Sequence, residues 1–348
     1  MQSIRWIGFT HSHLHSYQAF AERMYGRESY QTSEAYINWL YRENPHGPDL
    51  QKDFKVGVTD NERVVGCIHK MRLPWRVAGE RVDVPAVHNL MVDPKYRKGL
   101  GFMLTMASFG SERHALIPAV DGPLADAYDK LGLQPIRVEW YRRVLKPLSG
   151  ALQLTSRKLL GRGGGPRWFE ADDTESRCSD GCSVRVAPPK ELIEQVSALT
   201  HQTHRGQTSP EWSVELVSWR FFHPEGPRHL LVYLTEADEL SDFLILSLGP
   251  RRGVNVGRIV AASVRGASQL ETLLRAGIRT LKNHGCVVLL TYCADPGLNE
   301  MFTRLGWNGM ARTPRSFFYH QTKSARFESY ALMGAAGDFG FEAFCPQD

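Results

Sequence analysis

The stretch VHNLMVDPKYRKGLGFML, from Val87 to Leu104, decides how this chain is interpreted. Val87, Leu90 and Val92 are apolar residues typical of a β-strand, and Asp93-Pro94 ends that strand. A basic loop with two glycines follows, and an apolar helix begins directly after the loop. The first turn of a helix has unbonded N–H groups and a partial positive charge, and glycine lets this backbone approach an anion. The stretch therefore predicts a phosphate-binding loop between a strand and a helix.

A second stretch, DGPLADAYDKLGL from Asp121 to Leu133, predicts a helix that ends at a glycine. Gly132 stands at the position of a helix-stop glycine, and Tyr128 precedes it by one turn. For Tyr128 alone, a core tyrosine on an amphipathic helix is the simpler interpretation. The order and the separation of the two stretches favour a functional interpretation.

Both stretches resemble the signature of the GNAT (Gcn5-related) N-acyltransferases. In that family a strand ending in V-x-P-x-x-R, matched here by Val92, Pro94 and Arg97, precedes a glycine loop and a helix that cradle the CoA pyrophosphate. The family usually has R-G-x-G-x-G, and the loop here is one residue shorter, with Lys98 available as a point charge. The resemblance implies a set of residues that bind acetyl-CoA or another short acyl-CoA as co-substrate, with no metal. They are Asn89, Leu90, Met91, Val92, Arg97, Lys98, Gly99, Leu100, Gly101 and Phe102.

The resemblance also assigns chemistry to two side chains. In the family, the tyrosine that matches Tyr128 protonates the CoA thiolate as it leaves. A phenol, with a pKa of about 10, is a suitable acid for a thiolate whose thiol has a pKa of about 8.5. An amine attacks the thioester, and His88 is the predicted base because it lies on the strand beside the thioester and titrates near neutral pH. Water is an equal alternative to His88 as base, and the N–H of Leu90 is the predicted oxyanion donor.

The second half of the chain repeats the first half. The segment WLYRENPHGP at 39–48 corresponds to WRFFHPEGP at 219–227. The stretch from Asp295 to Trp307, DPGLNEMFTRLGW, corresponds to the helix that carries Tyr128. Similar spacing between these landmarks in both halves indicates two copies of one fold.

The two copies differ at the residues that would carry chemistry. The second copy has a single glycine, Gly266, where the phosphate loop should lie, and Phe302 stands at the tyrosine position. We therefore expect the second copy to bind no CoA and to serve as a wall of the acceptor cleft and as a packing partner. A second ligand site in that copy is the less favoured alternative.

The predicted fold class is α/β, with an α+β mixed sheet, in two GNAT-like domains in tandem, the second of which lacks the acyl-CoA loop. The first half follows the GNAT order β-α-α-β-β-β-α-β-α-β, with its last strand at 135–145. The predicted boundaries are 1–146 for the domain with the acyl-CoA site and 182–348 for the degenerate domain with its C-terminal tail. Residues 147–181 are predicted to be a linker with a possible helix and a glycine-rich joint.

The composition bounds the class of protein. The chain has 348 residues, of which 42% are apolar and 23% are charged, as in globular proteins of two domains. A net charge of +5 is too diffuse to indicate a nucleic-acid partner but suits an anionic substrate. The six cysteines show no zinc spacing, and reduced thiols predict a cytoplasmic protein. No stretch predicts membrane insertion or a signal peptide, and the oligomeric state is left open.

The predicted acceptor is a small molecule with a primary amine, and an amino sugar, possibly nucleotide-linked, of surface polysaccharide biosynthesis is favoured. The segment 39–48 resembles acyltransferases of such pathways. Fem-type aminoacyl or peptidyl transferases, which have lost the CoA loop, and a non-catalytic binding protein are the alternatives. The candidate acceptor residues are Asn44 and His46 in the first copy and Tyr292 and Asp295 in the second. For Asp295 alone, a helix cap is the simpler interpretation.

Overall fold

The structure is a computed structural model of the chain. It describes residues 4–27, 29–97, 100–109, 112–148, 168–169, 175–178, 181–251, 254–307, 309–310, 314–321, 330–337, 339, 341 and 344. Most of the predicted linker, and with it the glycine-rich joint at 161–166, lies outside these residues. So do Lys98 and Gly99 of the predicted phosphate loop.

The regular elements are named in chain order. The strands are β1 (Ile4–Gly8), β2 (Phe54–Thr59), β3 (Val64–Val77), β4 (Glu80–Val92), β5 (His114–Val120), β6 (Gln134–Ile136), β7 (Glu139–Val144), β8 (Ser176–Arg177), β9 (Ser183–Arg185), β10 (Ser209–Pro210), β11 (His229–Glu236), β12 (Glu239–Arg251), β13 (Val254–Ser263), β14 (Val288–Cys293) and β15 (Arg315–His320). The α-helices are α1 (Leu14–Tyr25), α2 (Glu34–Tyr41), α3 (Leu50–Asp53), α4 (Leu100–Phe109), α5 (Gly122–Lys130), α6 (Lys190–Thr203), α7 (Val214–Val217), α8 (Ala267–Asn283) and α9 (Pro296–Arg304).

The described residues form two compact units. The first comprises residues 4–137 and 314–321, and the second comprises residues 138–310 with the described positions from 330 to 344. The sheet of the first unit has the strand order β1-β2-β3-β4-β5-β15-β6. The sheet of the second has the order β8-β9-β11-β12-β13-β14-β7. Each sheet is mixed, because one central pair is parallel (β4 with β5, and β13 with β14) and the other neighbours are antiparallel.

The helix between each parallel pair is the crossover that such a pair requires. In the second unit this helix, α8, buries Leu270, Leu273, Leu274 and Leu281 at spacings of three, one and seven residues. These spacings place the leucines on one stripe of a 3.6-residue helix. Each buried leucine stabilises the unit by about 1.5–3 kcal/mol. The apolar stripe therefore holds α8 on the sheet.

The last strand of the first half differs from the sequence prediction. The segment 135–145, predicted as one strand of the first domain, is two strands, of which β6 pairs with β15 and β7 pairs with β14. Conversely, β15 belongs to the second half of the chain but pairs with β5 in the sheet of the first unit. Each sheet thus takes its strand beside the parallel pair from the other half of the sequence. The two units consequently do not coincide with two continuous halves of the chain.

The C-terminal segment packs within the second unit. The Arg220 guanidinium, which is fully buried, donates to the carbonyl oxygens of Ala335, Gly337 and Phe339. It also lies 4.7 Å above the ring of Phe341. Charge-assisted hydrogen bonds of this kind are worth about 1.5–3 kcal/mol each, so Arg220 fixes the segment firmly.

We expect the protein to lose stability in acid because of His229, which lies at the start of β11. Burial and the nearby Arg220 lower the pKa of His229 to about 3, below the ~6.5 of an unfolded chain. Below pH 6.5 the unfolded state binds a proton that the folded state excludes. The free energy of unfolding therefore decreases by up to about 1.4 kcal/mol for each unit by which the pH is lowered. We expect His229→Asn, which keeps an N–H donor near Nδ1 but does not titrate, to flatten this dependence. Urea unfolding at pH 7.5, 6.0 and 5.0 measures it, and equal slopes for both proteins would contradict it.

Candidate functional site

The pairing between the parallel strands of the first unit ends early. Strands β4 and β5 pair only where Ala86 lies opposite Leu116. The equivalent strands of the second unit, β13 and β14, pair over four successive residues, from Val256 opposite Val288 to Ile259 opposite Thr291. After Ala86, the facing edges of β4 and β5 are not joined by ladder hydrogen bonds. We call this unpaired region of the first sheet the opening; the corresponding strands of the second sheet are joined by a longer ladder.

Both strands beside this opening carry an irregular residue. In β4, Cys67 lies opposite Met91 and His69 opposite His88, so two residues, Asn89 and Leu90, face a single residue of β3. Asn89 has a φ of 48°, and Ala119 on β5 has a φ of 54°. Non-glycine residues in this left-handed region cost about 1–3 kcal/mol each and concentrate at functional sites. The two strained residues mark the opening as the candidate site.

The bulge in β4 is held by the side chain of Asn89. Its Oδ1 accepts hydrogen bonds from the Tyr30 hydroxyl and from Gln31 Nε2, each at 3.2 Å. Its Nδ2 donates to the Tyr36 hydroxyl at 3.2 Å. Each such bond contributes about 0.5–1.5 kcal/mol, so together they offset the cost of the left-handed backbone. The clamp therefore holds the backbone of the bulge at Asn89.

His88 is buried and lies on the same side of the sheet as Asn89. Its Nε2 is 3.1 Å from the Tyr36 hydroxyl, and its Nδ1 is 3.2 Å from the carbonyl oxygen of Ala86. Because the Tyr36 oxygen already accepts from Asn89, its single proton is available for His88 Nε2. A carbonyl can only accept, so Nδ1 carries the other proton. This hydrogen-bond pattern is that of a neutral imidazole with its proton on Nδ1 and its Nε2 lone pair facing Tyr36.

A second histidine extends this network. His69 Nε2 and Nδ1 lie 3.1 Å from the hydroxyls of Tyr17 and Tyr41. The His69 and His88 rings have centroids 5.5 Å apart. Burial, reinforced by the neighbouring His88, holds the pKa of His69 well below its usual value. His69 is consequently uncharged at neutral pH, and the space behind the bulge is filled by packed rings.

The loop after β4 is only partly described. Asp93 accepts a hydrogen bond from the Lys95 N–H, and Arg97 Nε donates to the carbonyl oxygen of Val92 at 3.1 Å. The side chain of Arg97 is exposed and sits at the end of β4. Helix α4 begins at Leu100, two residues earlier than predicted, so Gly101 lies in its first turn and not in the loop. A Cβ added at Gly101 would meet only a Leu90 methyl group, at 3.8 Å. Phe102 is half-buried at the first turn of α4.

Tyr128 lies on α5 beside the same helix. It is 1% exposed, and its ring packs 6.2 Å from that of Phe102 and 5.7 Å from that of Phe317. Burial raises the pKa of Tyr128 to about 12, and a hydrogen bond with Thr105 acts in the opposite direction. Thr105 in turn donates to the carbonyl oxygen of Gly101. The phenol is therefore protonated at neutral pH and is linked to the first turn of α4.

The candidate acceptor residues have structural partners. Asn44 is buried, donates to the carbonyl oxygen of Arg72 and accepts from the N–H of His46. Tyr292 is 1% exposed and packs 4.4 Å from Trp140. Asp295 accepts from the Leu298 N–H at 2.8 Å and so caps α9, as the simpler interpretation of this residue predicted. Asn44 and His46 belong to the first unit, and the other two belong to the second, so their role in one acceptor site stays a prediction.

Two features of the site were not predicted from the sequence. Tyr36 and the Tyr30–Gln31 pair hold the bulge, but nothing in the sequence marks them, because their partners are more than fifty residues away. The left-handed backbone of Ala119 is likewise not marked by any local sequence pattern. In the part of the chain that the structure describes, no group of three or more His, Cys, Asp or Glu side chains is placed to hold a metal ion. No helix among those residues is long and apolar enough to cross a membrane.

Comparisons with known proteins agree with this geometry. Residues 9–113 match the family model of an acetyltransferase (GNAT) domain. No curated protein matches the chain. Saccharomyces cerevisiae N-myristoyltransferase with bound myristoyl-CoA has a similar fold, with a TM-score of 0.62 at 12% identity over 92% of this chain and 83% of that chain.

Two bacterial structures are also similar. A probable N-acyltransferase of unknown function from Enterococcus faecalis V583 has a TM-score of 0.54 at 13% identity, covering 92% of this chain and 73% of that chain. A GCN5-related N-acetyltransferase from Kribbella flavida has a TM-score of 0.51 at 14% identity, covering 92% and 71%.

These findings define the class of the fold. The chain shares the fold of N-acyltransferases of known structure. More particularly, its first unit carries a GNAT acetyltransferase domain. The predicted mixed α/β fold with two GNAT-like sheets is confirmed.

Proposed function

We propose that this protein transfers a short acyl group from CoA to a primary amine at the opening between β4 and β5. The observation that carries the proposal is the end of pairing between these strands after Ala86, beside the helix that follows the glycine loop. Backbone groups at the unpaired edges pair with the amides of the pantetheine arm, and the start of α4 receives the pyrophosphate. The N–H of Leu90, which belongs to the bulge, polarises the thioester carbonyl.

The proposed reaction needs one base and one acid. The attacking amine loses a proton to the Tyr36 oxygen as Tyr36 passes its own proton to Nε2 of His88. Tyr128 gives its proton to the CoA thiolate as the thioester bond breaks. Solvent then takes the proton from His88 and reprotonates Tyr128. An acetyl group suits this arrangement because the space beyond the bulge is already packed by Tyr36, His69 and His88, which are at most 4% exposed.

The proposed acceptor is an amino sugar, possibly nucleotide-linked, of surface polysaccharide synthesis. The support for this finer assignment is the segment at 39–48, which resembles acyltransferases of such pathways. A cytoplasmic setting belongs to the same proposal, since CoA is available there and the described cysteines are free thiols. Thiol release from acetyl-CoA with a panel of amino sugars tests the proposal. Tight CoA binding without thiol release for any amine would favour the non-catalytic alternative.

Replacing Gly101 with valine is expected to weaken CoA at least about tenfold. A side chain there blocks the approach of phosphate to the helix N-terminus, and one lost charge-assisted hydrogen bond is worth about 1.5–3 kcal/mol. The fold should tolerate the change, because the added Cβ makes only an ordinary contact with Leu90. Calorimetry measures the affinity and should give one CoA site per chain that this substitution weakens.

The matched control is Gly266→Val, at the corresponding loop of the second copy. The added Cβ there meets the end of the Gln269 side chain, which can move aside. We expect unchanged CoA affinity for this variant. Two equivalent CoA sites in the wild type, or equal weakening by both substitutions, would show that the second copy also binds CoA.

A further inference from the structure

We propose that the second unit binds a small molecule with two or more phosphate groups in a groove between helix α8 and strand β7. The groove encloses about 380 Å³. Sites for small ligands and cofactors have volumes of about 300–1,000 Å³, so the groove is large enough for a ligand of the size of a sugar diphosphate. The proposal concerns a site separate from the opening in the first unit and does not depend on the proposed function.

Four cationic side chains converge on this groove from two elements. Arg275, Arg279 and Lys282 follow one another on α8 at spacings of four and three residues, which places them on one face of the helix. Arg143 reaches the groove from β7. The acidic residue of the lining is Glu271, which pairs with Arg275 at 2.9 Å. The lining therefore keeps an excess of three positive charges.

The position of Arg143 is fixed by the fold. Its backbone pairs with Leu289 of β14, and its guanidinium lies 5.6 Å above the ring of Trp307. A cation held over an indole ring is stabilised by about 0.5–1 kcal/mol at exposed sites. The floor of the groove is apolar, with Leu274 buried and Leu305 half-buried. An apolar floor lowers the local dielectric and strengthens the attraction between the surrounding cations and an anion.

Stabilisation of the C-terminus of α8 does not by itself explain the four cationic side chains of the groove. Cations near a helix C-terminus interact favourably with the helix dipole, and Lys282 is in such a position. Arg275 lies two turns from the end of α8, and Arg143 is not on the helix. The corresponding helix of the first unit, α4, is shorter and has no charged residue. The groove is therefore a particular property of the second unit.

The concave shape favours a small phosphate ester over a membrane. The cations surround a limited volume, whereas binding to a lipid surface requires charges spread over a flat or convex face. A ligand with two or more phosphate groups matches the excess of three positive charges better than a ligand with one phosphate group does. Arginine suits this ligand because its guanidinium contacts phosphate oxygens in pairs.

The test is a calorimetric titration of the full chain with inorganic pyrophosphate at low salt. The double substitution Arg143→Glu with Arg279→Glu is expected to remove one equivalent of bound pyrophosphate, or to weaken it at least tenfold. The matched control is Arg205→Glu, which makes the same charge change at an exposed position outside the groove. All three substituted residues are exposed, and the melting temperature of each variant checks that it folds.

Three results would overturn the proposal. One is equal pyrophosphate binding by the wild type and the double variant. Another is equal weakening by Arg205→Glu, which would indicate a diffuse charge effect. The last is that the wild type binds phosphatidylserine vesicles and the double variant does not, while both bind the same amount of pyrophosphate. That result would assign the groove to a lipid surface. Because Gly101→Val acts on the loop of the first unit, its effect on CoA is independent of all three.

Discussion

Tyr128→Phe is expected to lower kcat for amine acylation by about 10²–10⁴-fold, the usual contribution of a general acid. The dissociation constant for acyl-CoA should change little, because the hydroxyl acts mainly as the thiolate forms. The fold should accept the substitution, since the second unit has a phenylalanine, Phe302, at the corresponding position with no exposed surface. Steady-state thiol release and CoA calorimetry give the two quantities.

The control for this prediction is Thr105→Val. It removes the hydrogen bond of Tyr128 but keeps the phenol and the volume of the side chain. We expect its kcat to stay within a few fold of the wild type. If Tyr128→Phe instead retains the wild-type kcat, Tyr128 is a core residue, which its burial would then explain. If both variants lose activity equally, the position of α5 against α4 matters rather than the proton.

His88→Gln is expected to lower kcat by a similar factor of about 10²–10⁴. The glutamine amide can still accept a hydrogen bond from Tyr36, but it cannot take a proton at neutral pH. Tyr36→Phe should give a comparable loss, because it interrupts the path from the amine to His88. The double variant should be little worse than either single one, since the two residues act as a unit. Rates with a saturating amine, compared across the four proteins, measure this coupling.

Tyr41→Phe is the matched control. It removes the same hydroxyl from another buried tyrosine, which contacts His69 rather than His88. We expect a kcat near that of the wild type. Retained activity in His88→Gln would assign the proton to water. A loss in Tyr41→Phe as large as that in Tyr36→Phe would indicate that the whole network of rings positions the bulge, with no specific proton path.

Much of the first unit could be predicted from local patterns. The strand–loop–helix order around Gly101 follows from residues within a few positions of one another, and so does the helix stop at Gly132. The asymmetry between the copies was also visible, because the second copy has one glycine, Gly266, where the first has a loop with two, and Phe302 where the first has a tyrosine. These features depend on residues that are close together in the chain, such as glycine and proline at turns, and can be recognised directly in the sequence.

Side-chain directions near His88 could not be predicted in this way. In a regular strand, neighbouring residues point to opposite faces, so His88 and Asn89 would lie on different sides of the sheet. The bulge changes this alternation and brings both side chains to the Tyr36 hydroxyl. A bulge depends on the register with the partner strand, and that register is set by residues about twenty positions away.

The sequence by itself predicted two copies of one fold, only one of which has a glycine loop and a tyrosine at the positions where the resemblance places acyl transfer. The tertiary structure alone decided that β7 and β15 pair outside their own halves, and that a cationic groove lies beside α8. A fragment of residues 1–146 would lack β15 and leave β5 without its antiparallel partner. Strand partners and convergent charges join residues far apart in the chain. Their contacts are chosen by packing of the whole fold, which no local pattern records.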